Sequence, residues 1–136
     1  MIVNDVTGLI GGTPLLELKR LFPDSPARVL AKLELCNPTS VKDRAVLSMI
    51  RAAWDAGRIC PGTEVVEASS GNTAIAIASL GAVLGYTARI YMSELASRER
   101  RQILCAYGAK VIVTPGVEHT RGARERAMAY CREHPE

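Results

Sequence analysis

From residue 64 onward the chain switches regularly between two spacings of apolar positions. Short β-branched runs predict strands at Glu64 to Glu67, Ala88 to Met92 and Lys110 to Thr114. Longer stretches at helical spacing predict helices near 72 to 84, 97 to 107 and 120 to 132. Strands alternating with helices point to a parallel α/β sheet. A further helix, from about 41 to 56, places Val46, Met49, Ile50, Ala53 and Trp54 on one side as an expected core face, and Gly57 ends it. Upstream, Pro14 to Leu18 and Arg28 to Leu35 read as two strands joined by the turn-rich Phe22-Pro23-Asp24-Ser25-Pro26. Glu133-His134-Pro135-Glu136 stops just past a predicted helix, where an α/β protein normally begins another strand, so the chain is expected to be cut there.

Composition changes this picture little. A chain of 136 residues with 48% hydrophobic and 23% charged positions is ordinary for a globular domain, which excludes disorder. The net charge of +3 is too mild for a nucleic-acid binder. Arg98, Arg100 and Arg101, with Arg121, Arg124 and Arg126, read as solvated helix faces interleaved with Glu99 and Glu125. The apolar run Ala74 to Gly85 is too short to cross a bilayer and reads as a buried helix. Cys36, Cys60, Cys105 and Cys131 are scattered, and His119 and His134 are isolated, so neither a metal site nor a disulfide scaffold is expected. Without a basic and then apolar leader pattern, a reducing cytoplasm fits best.

Two short stretches carry candidate chemistry. In "NPTSVKDRA", residues 37 to 45, a helix-breaking segment meets a helix start, and Lys42 stands where the positive end of the helix dipole disfavours a cation. One reading is plain capping: Ser40 caps, Asp43 supplies the favourable charge, and Lys42 points into water. The other is an amine held closer to its neutral, nucleophilic form. The second stretch, "EASSGNTA" at 67 to 74, follows a strand and opens a helix. In a parallel sheet that is the ligand-binding end, and Ser69, Ser70, Gly71, Asn72 and Thr73 can grip a carboxylate or a phosphate. A capped strand-to-helix turn would look the same. No G-x-G-x-x-G or G-x-x-x-x-G-K-S/T follows any predicted strand, which argues against a nucleotide site.

With "IGGTPLLEL" at 10 to 18, "AKLELCNPTSVKDRA" at 31 to 45, "EASSGNTAIAIA" at 67 to 78 and "MSELASRERRQILCAYGAKVIVTPG" at 92 to 116, nearly the whole chain resembles the N-terminal part of the cysteine synthase family. These are fold-type II pyridoxal phosphate enzymes related to tryptophan synthase β. The resemblance implies a three-layer αβα parallel sheet with an incomplete second domain: residues 1–36 would be strands that pack on the larger domain, and 37–136 the small α/β domain. It implies that Lys42 bonds covalently to pyridoxal phosphate and moves the proton at the substrate's α-carbon. Asn72 would hydrogen-bond the 3'-hydroxyl of the cofactor, while Ser69, Ser70, Gly71 and Thr73 would hold the substrate's α-carboxylate.

The implied reaction is β-replacement on O-acetylserine or O-phosphoserine with sulfide, giving cysteine. Cystathionine, diaminopropionate or serine/threonine deaminase chemistry on the same scaffold is the alternative, as is a non-catalytic binding domain. A homodimer is implied for the complete enzyme.

Several positions depart from the family pattern. "NPTSVKDR" lacks a glycine usual before the Ser-Val-Lys, which tightens the turn feeding Lys42. Ser69, Ala74 and Gly12 stand where Thr, Gly and Asn are usual. No second glycine-rich loop follows residue 116, and such a loop would hold the cofactor phosphate. Weak or no cofactor binding is therefore expected of this chain alone.

Overall fold

The computed structural model describes residues 2–135. A two-stranded antiparallel ribbon comes first, with β1 (Leu15–Glu17) paired to β2 (Leu30–Lys32) so that Leu16 faces Ala31 across the ladder. Both strands are shorter than the pattern suggested. Downstream of β2 the chain tightens into a 3-10 turn at Glu34–Cys36 instead of staying extended to Leu35.

Helix α1 (Lys42–Asp55) leads into β3 (Glu64–Ala68), α2 (Asn72–Leu84), β4 (Thr87–Ser93), α3 (Arg98–Ala106), β5 (Lys110–Thr114) and α4 (His119–Glu133). The three strands form one parallel sheet in the order β3-β4-β5, with Glu67 beside Ile90 and Ile90 beside Val111. Every element expected after residue 40 is present, within about two residues of its expected ends.

Alternation along β4 divides the core into two layers, as successive strand residues point to opposite faces. Ala88, Ile90 and Met92 join Leu80 and Ile77 of α2, Leu104 of α3 and Val46, Leu47 and Ile50 of α1 in the main cluster. Tyr91, with Val66 and Ile112 beside it, meets Ala123, Ala127 and Tyr130 of α4. The architecture is therefore α1-α2-α3, sheet, α4, a three-layer αβα arrangement. Helix α2 is apolar nearly all round and is buried from Ala76 to Gly81, as its composition requires. Its Gly81 leaves no room for a side chain, because a Cβ there would lie 2.8 Å from the carbonyl oxygen of Tyr86.

The core face of α1 differs from expectation. Val46, Leu47 and Ile50 are buried together with Asp43, whereas Met49 is 55% and Trp54 36% exposed. The stripe that packs on α2 runs through 43, 46, 47 and 50, one position round from the expected one. Gly57, at φ +69°, ends this helix as expected.

At the N-terminal ends of the strands a polar cluster ties the sheet to α4. Glu64 accepts 2.7 Å hydrogen bonds from Arg89 Nε, Lys110 Nζ and the Tyr130 hydroxyl, and the Arg89 guanidinium lies 4.2 Å from the centre of the Tyr130 ring. The carboxylate thus links all three strands and the opposing helix. Burial pushes the Glu64 carboxyl up, but these three hydrogen bonds outweigh it and hold the group at about 2.

Candidate functional site

The turn before α1 is built around a buried carboxylate. Asp43 is 2% exposed and accepts hydrogen bonds from the backbone N–H of Thr39 at 2.7 Å and of Ser40 at 3.2 Å, and from the Thr39 hydroxyl. Ser40 Oγ accepts in turn from the Lys42 N–H at 3.1 Å, and Ser40 O from the Asp43 N–H at 3.1 Å. Ser40 and Asp43 therefore brace the turn reciprocally, but the residue that caps α1 is Val41 and no side chain caps the helix, so the expected Ser40 cap is not formed. Lys42 is the first residue of α1, exposed, and its amine has no hydrogen-bond or ion-pair partner among the described residues.

A second ring of contacts braces this turn from the N-terminal segment. Asn37, buried, accepts from the Gly11 N–H at 2.9 Å and donates to Glu34 Oε2 at 2.6 Å. Arg44 bridges Glu34, at 3.0 Å, to the Thr13 hydroxyl, at 2.8 Å, and Lys32 Nζ donates to the Thr13 carbonyl. The Arg44 contact holds the Glu34 carboxyl below the usual range, against the effect of burial. Thr13, Glu34, Asn37 and Arg44 were not among the residues singled out from sequence. The contacts that tie them to the N-terminal segment, Gly11 to Asn37 and Thr13 to Arg44, span 26 and 31 positions and leave no local periodic signal.

The 69–73 stretch leaves the carboxyl end of β3 and runs into the first turn of α2. Ser69 Oγ accepts from the Gly71 N–H at 3.2 Å, closing a tight turn, and Gly71 O accepts from Ala74 N–H at 3.1 Å to start the helix. No side chain caps α2. Its first-turn N–H groups are thus free of the cap that Ser97 gives α3, and an N-terminus of this kind suits an anion. Asn72 is exposed at the first helical position, while Ser69, Ser70, Gly71 and Thr73 are half-buried.

Lys42 and Asn72 thus open two helices that pack on one another through the apolar cluster of Val46, Leu47, Ile50, Ala74 and Ile77. No hydrogen bond joins Lys42 to the 69–73 turn among the described residues. The fold thus packs together two helices, one opening on an unpaired amine and the other on an uncapped N-terminus.

A parallel sheet between helix layers, with an uncapped helix start at the carboxyl end of a strand, defines an α/β protein of the ligand-binding kind. The family model described as "Pyridoxal-phosphate dependent enzyme" matches residues 6–136, and the chain belongs to that family. A cysteine synthase of Staphylococcus aureus is 46% identical over 133 residues, which is 97% of this chain and 43% of the relative. Among solved structures, O-acetyl serine sulfhydrylase isoform 3 from Entamoeba histolytica superposes with a TM-score of 0.91 at 39% identity, covering 99% of this chain and 42% of that one. An O-ureido-L-serine synthase matches with a TM-score of 0.90 at 35% identity, covering 99% of this chain and 43% of that one. The chain spans less than half the length of these relatives.

Proposed function

We propose that this chain is the lysine-bearing N-terminal portion of a cysteine synthase-like enzyme, which replaces the β-substituent of an activated serine with sulfide. The observation that carries the reading is the exposed, unpartnered Lys42 at the head of α1, on a turn fixed by buried Asp43 and on a helix packed against the uncapped α2. The residues present suit pyridoxal phosphate in their donor chemistry: an amine without a competing partner, an amide at Asn72, and free N–H groups beside hydroxyls. Lys42 would hold the cofactor aldehyde and Asn72 its ring hydroxyl. When bound, the cofactor supplies an electron sink for the substrate's α-carbon.

The rest of the work falls to the chain itself. The Ser69, Ser70, Gly71 and Thr73 turn binds the amino acid's carboxylate through hydroxyls and N–H groups, which fixes the α-carbon relative to the lysine. Lys42 takes and returns the proton at that carbon, because an amine on a rigid helix start is positioned for proton transfer. Sulfide then takes the place of the leaving group at the β-carbon, whether acetate or phosphate. The segment 1–36, with Leu15, Leu16 and Leu35 more than half exposed, packs in this reading on a larger domain, and the complete enzyme is a homodimer.

Similarity to an O-ureido-L-serine synthase favours, as the second reading, the same β-replacement with a different nucleophile. Borohydride trapping tests the site. The chain has four lysines, Lys19, Lys32, Lys42 and Lys110. After brief exposure to pyridoxal phosphate and reduction, peptide mapping is expected to find the pyridoxyl label mainly on Lys42. An even spread over the four would refute the assignment.

A further inference from the structure

A second polar hollow adjoins the 69–73 turn. Its volume is about 490 Å³, and it is lined by Ser70, Ser93 at the end of β4, Ser97 and Arg100 at the start of α3, and His119 and Thr120 at the start of α4. Ser70 belongs both to the proposed carboxylate turn and to this hollow, so the two are continuous. A volume of this size accommodates a small polar ligand.

The charge of the hollow is one-sided. No carboxylate among the described residues lines it. The acidic residues next in sequence to its lining are already engaged: Glu94 accepts from the Gly116 N–H at 2.7 Å, Glu99 bonds to its own backbone N–H and to Ser97, and Glu118 is forked by Arg126 at 2.9 and 3.1 Å. Arg100, by contrast, has no ion-pair or hydrogen-bond partner for its guanidinium among the described residues.

The hydroxyls of Ser70 and Thr120 are likewise uncommitted among the described residues. The backbone of His119 sits at φ +49° and ψ −150°, a conformation that glycine adopts more readily, and the residue lines the hollow. An imidazole donates one N–H when neutral and two when charged. Five donors' worth of guanidinium, an imidazole and two hydroxyls without an opposing acid match a tetrahedral oxyanion.

We propose that the hollow formed by Ser70, Arg100, His119 and Thr120 is a subsite for an anion of the phosphate class, continuous with the carboxylate turn. The anion is either the β-phosphoryl arm of an amino-acid substrate or free inorganic phosphate. The substrate arm rests on the function proposed above. In that case the subsite selects a phosphoryl leaving group over an acetyl one, since a neutral ester offers the guanidinium no charge to pair.

NMR titration of the isotope-labelled 136-residue chain tests this, with inorganic phosphate, O-phospho-L-serine and O-acetyl-L-serine as separate probes. Phosphate and O-phospho-L-serine are expected to shift the His119 ring and Arg100 Nε–H signals, and O-phospho-L-serine also the amides of 69–73. The double substitution Arg100→Gln, His119→Gln is expected to weaken both by about tenfold or more, the scale of one charge-assisted hydrogen bond. Both positions are exposed, and an unchanged amide spectrum of the variant confirms its fold.

Shifts at His119 and Arg100 with 69–73 untouched by either amino acid would assign the subsite to free phosphate and count against the carboxylate turn. Shifts at 69–73 with the amino acids, but none at His119 and Arg100 with phosphate, would overturn the subsite and leave the carboxylate turn standing. Equal affinity in the double variant would overturn it as well.

Discussion

The carboxylate of Asp43 accepts the Thr39 backbone N–H at 2.7 Å from inside the protein, one residue beyond Lys42. A buried acceptor serving three donors cannot be removed without leaving those donors unpaired, which costs about 1–3 kcal/mol. Asp43→Ala is expected to lower the unfolding free energy by that amount, seen as a lower urea midpoint at constant m-value. Asp43→Asn, which keeps one acceptor oxygen, is expected to lower it less. If the turn positions Lys42, borohydride labelling in Asp43→Ala will also lose its preference for that lysine at urea concentrations where the variant is still folded. Unchanged selectivity would reduce Asp43 to a purely structural role.

Glu64 gives the fold a pH dependence. Its carboxyl is held at about 2 against an ordinary 4.5. A depressed acid contributes stability that is complete above the unfolded value and is lost as pH falls through the folded one. The contribution therefore stands in full above about 4.5 and fades between about 4.5 and 2. The gap corresponds to roughly 1–3 kcal/mol once solvent screening of this side chain, 21% exposed, is allowed for. Glu64→Gln is expected to be less stable than the parent by that amount at neutral pH, with the difference shrinking as pH falls through the window. Urea melts of both proteins at several pH values measure it, and a constant difference across the window would contradict the assignment.

Helix α2 passes so close to Tyr86 that Gly81→Ala brings two effects into conflict. Alanine is the better helix former by about 1 kcal/mol. Its Cβ, however, would stand 2.8 Å from a backbone carbonyl and 3.0 Å from the Tyr86 ring, and that ring is pinned by its hydroxyl's 2.7 Å bond to the Ile77 carbonyl. Overpacking against a backbone that cannot yield costs about 1–3 kcal/mol, so the clash wins. A thermal midpoint lower by about 2–6 °C is expected, and a midpoint unchanged or raised would show that the helix shifts freely.

How far the sequence was legible depended on whether a choice was local. Strand β4 and helix α2 could be placed because continuous apolar runs such as Ala74 to Leu80 have no stable arrangement except burial between layers. The 69–73 turn could be placed because Ser, Gly and Asn after a β-branched run restrict the backbone by themselves. The face of α1 could not. Residues 46, 49, 50, 53 and 54 and residues 43, 46, 47 and 50 are both helical stripes, and the packing of α2 selects the second. That choice buries an aspartate which hydropathy assigns to solvent. Likewise nothing near Thr13 announces Arg44, since the pairing is a product of the assembled fold.

The cofactor prediction turns on the difference between holding an aldehyde and holding a whole cofactor. In the proposed reading Lys42 and Asn72 would address the ring end of pyridoxal phosphate, but a reversible bond to one exposed amine has little else to retain the ligand. The affinity of such cofactors draws heavily on anion contacts to the phosphate. This chain carries no glycine-rich loop after residue 116 to supply them.

Titration of pyridoxal phosphate into the purified 136-residue chain is accordingly expected to give no stable 1:1 species absorbing in the visible, even though borohydride captures transient attachment at Lys42. Lys42→Ala should remove that captured label. Because the side chain is exposed and unpartnered, the substitution should change stability by less than about 0.5 kcal/mol. A stoichiometric visible band from the unmodified chain would mean that its own residues, the anion hollow beside Ser70 among them, already hold the phosphate.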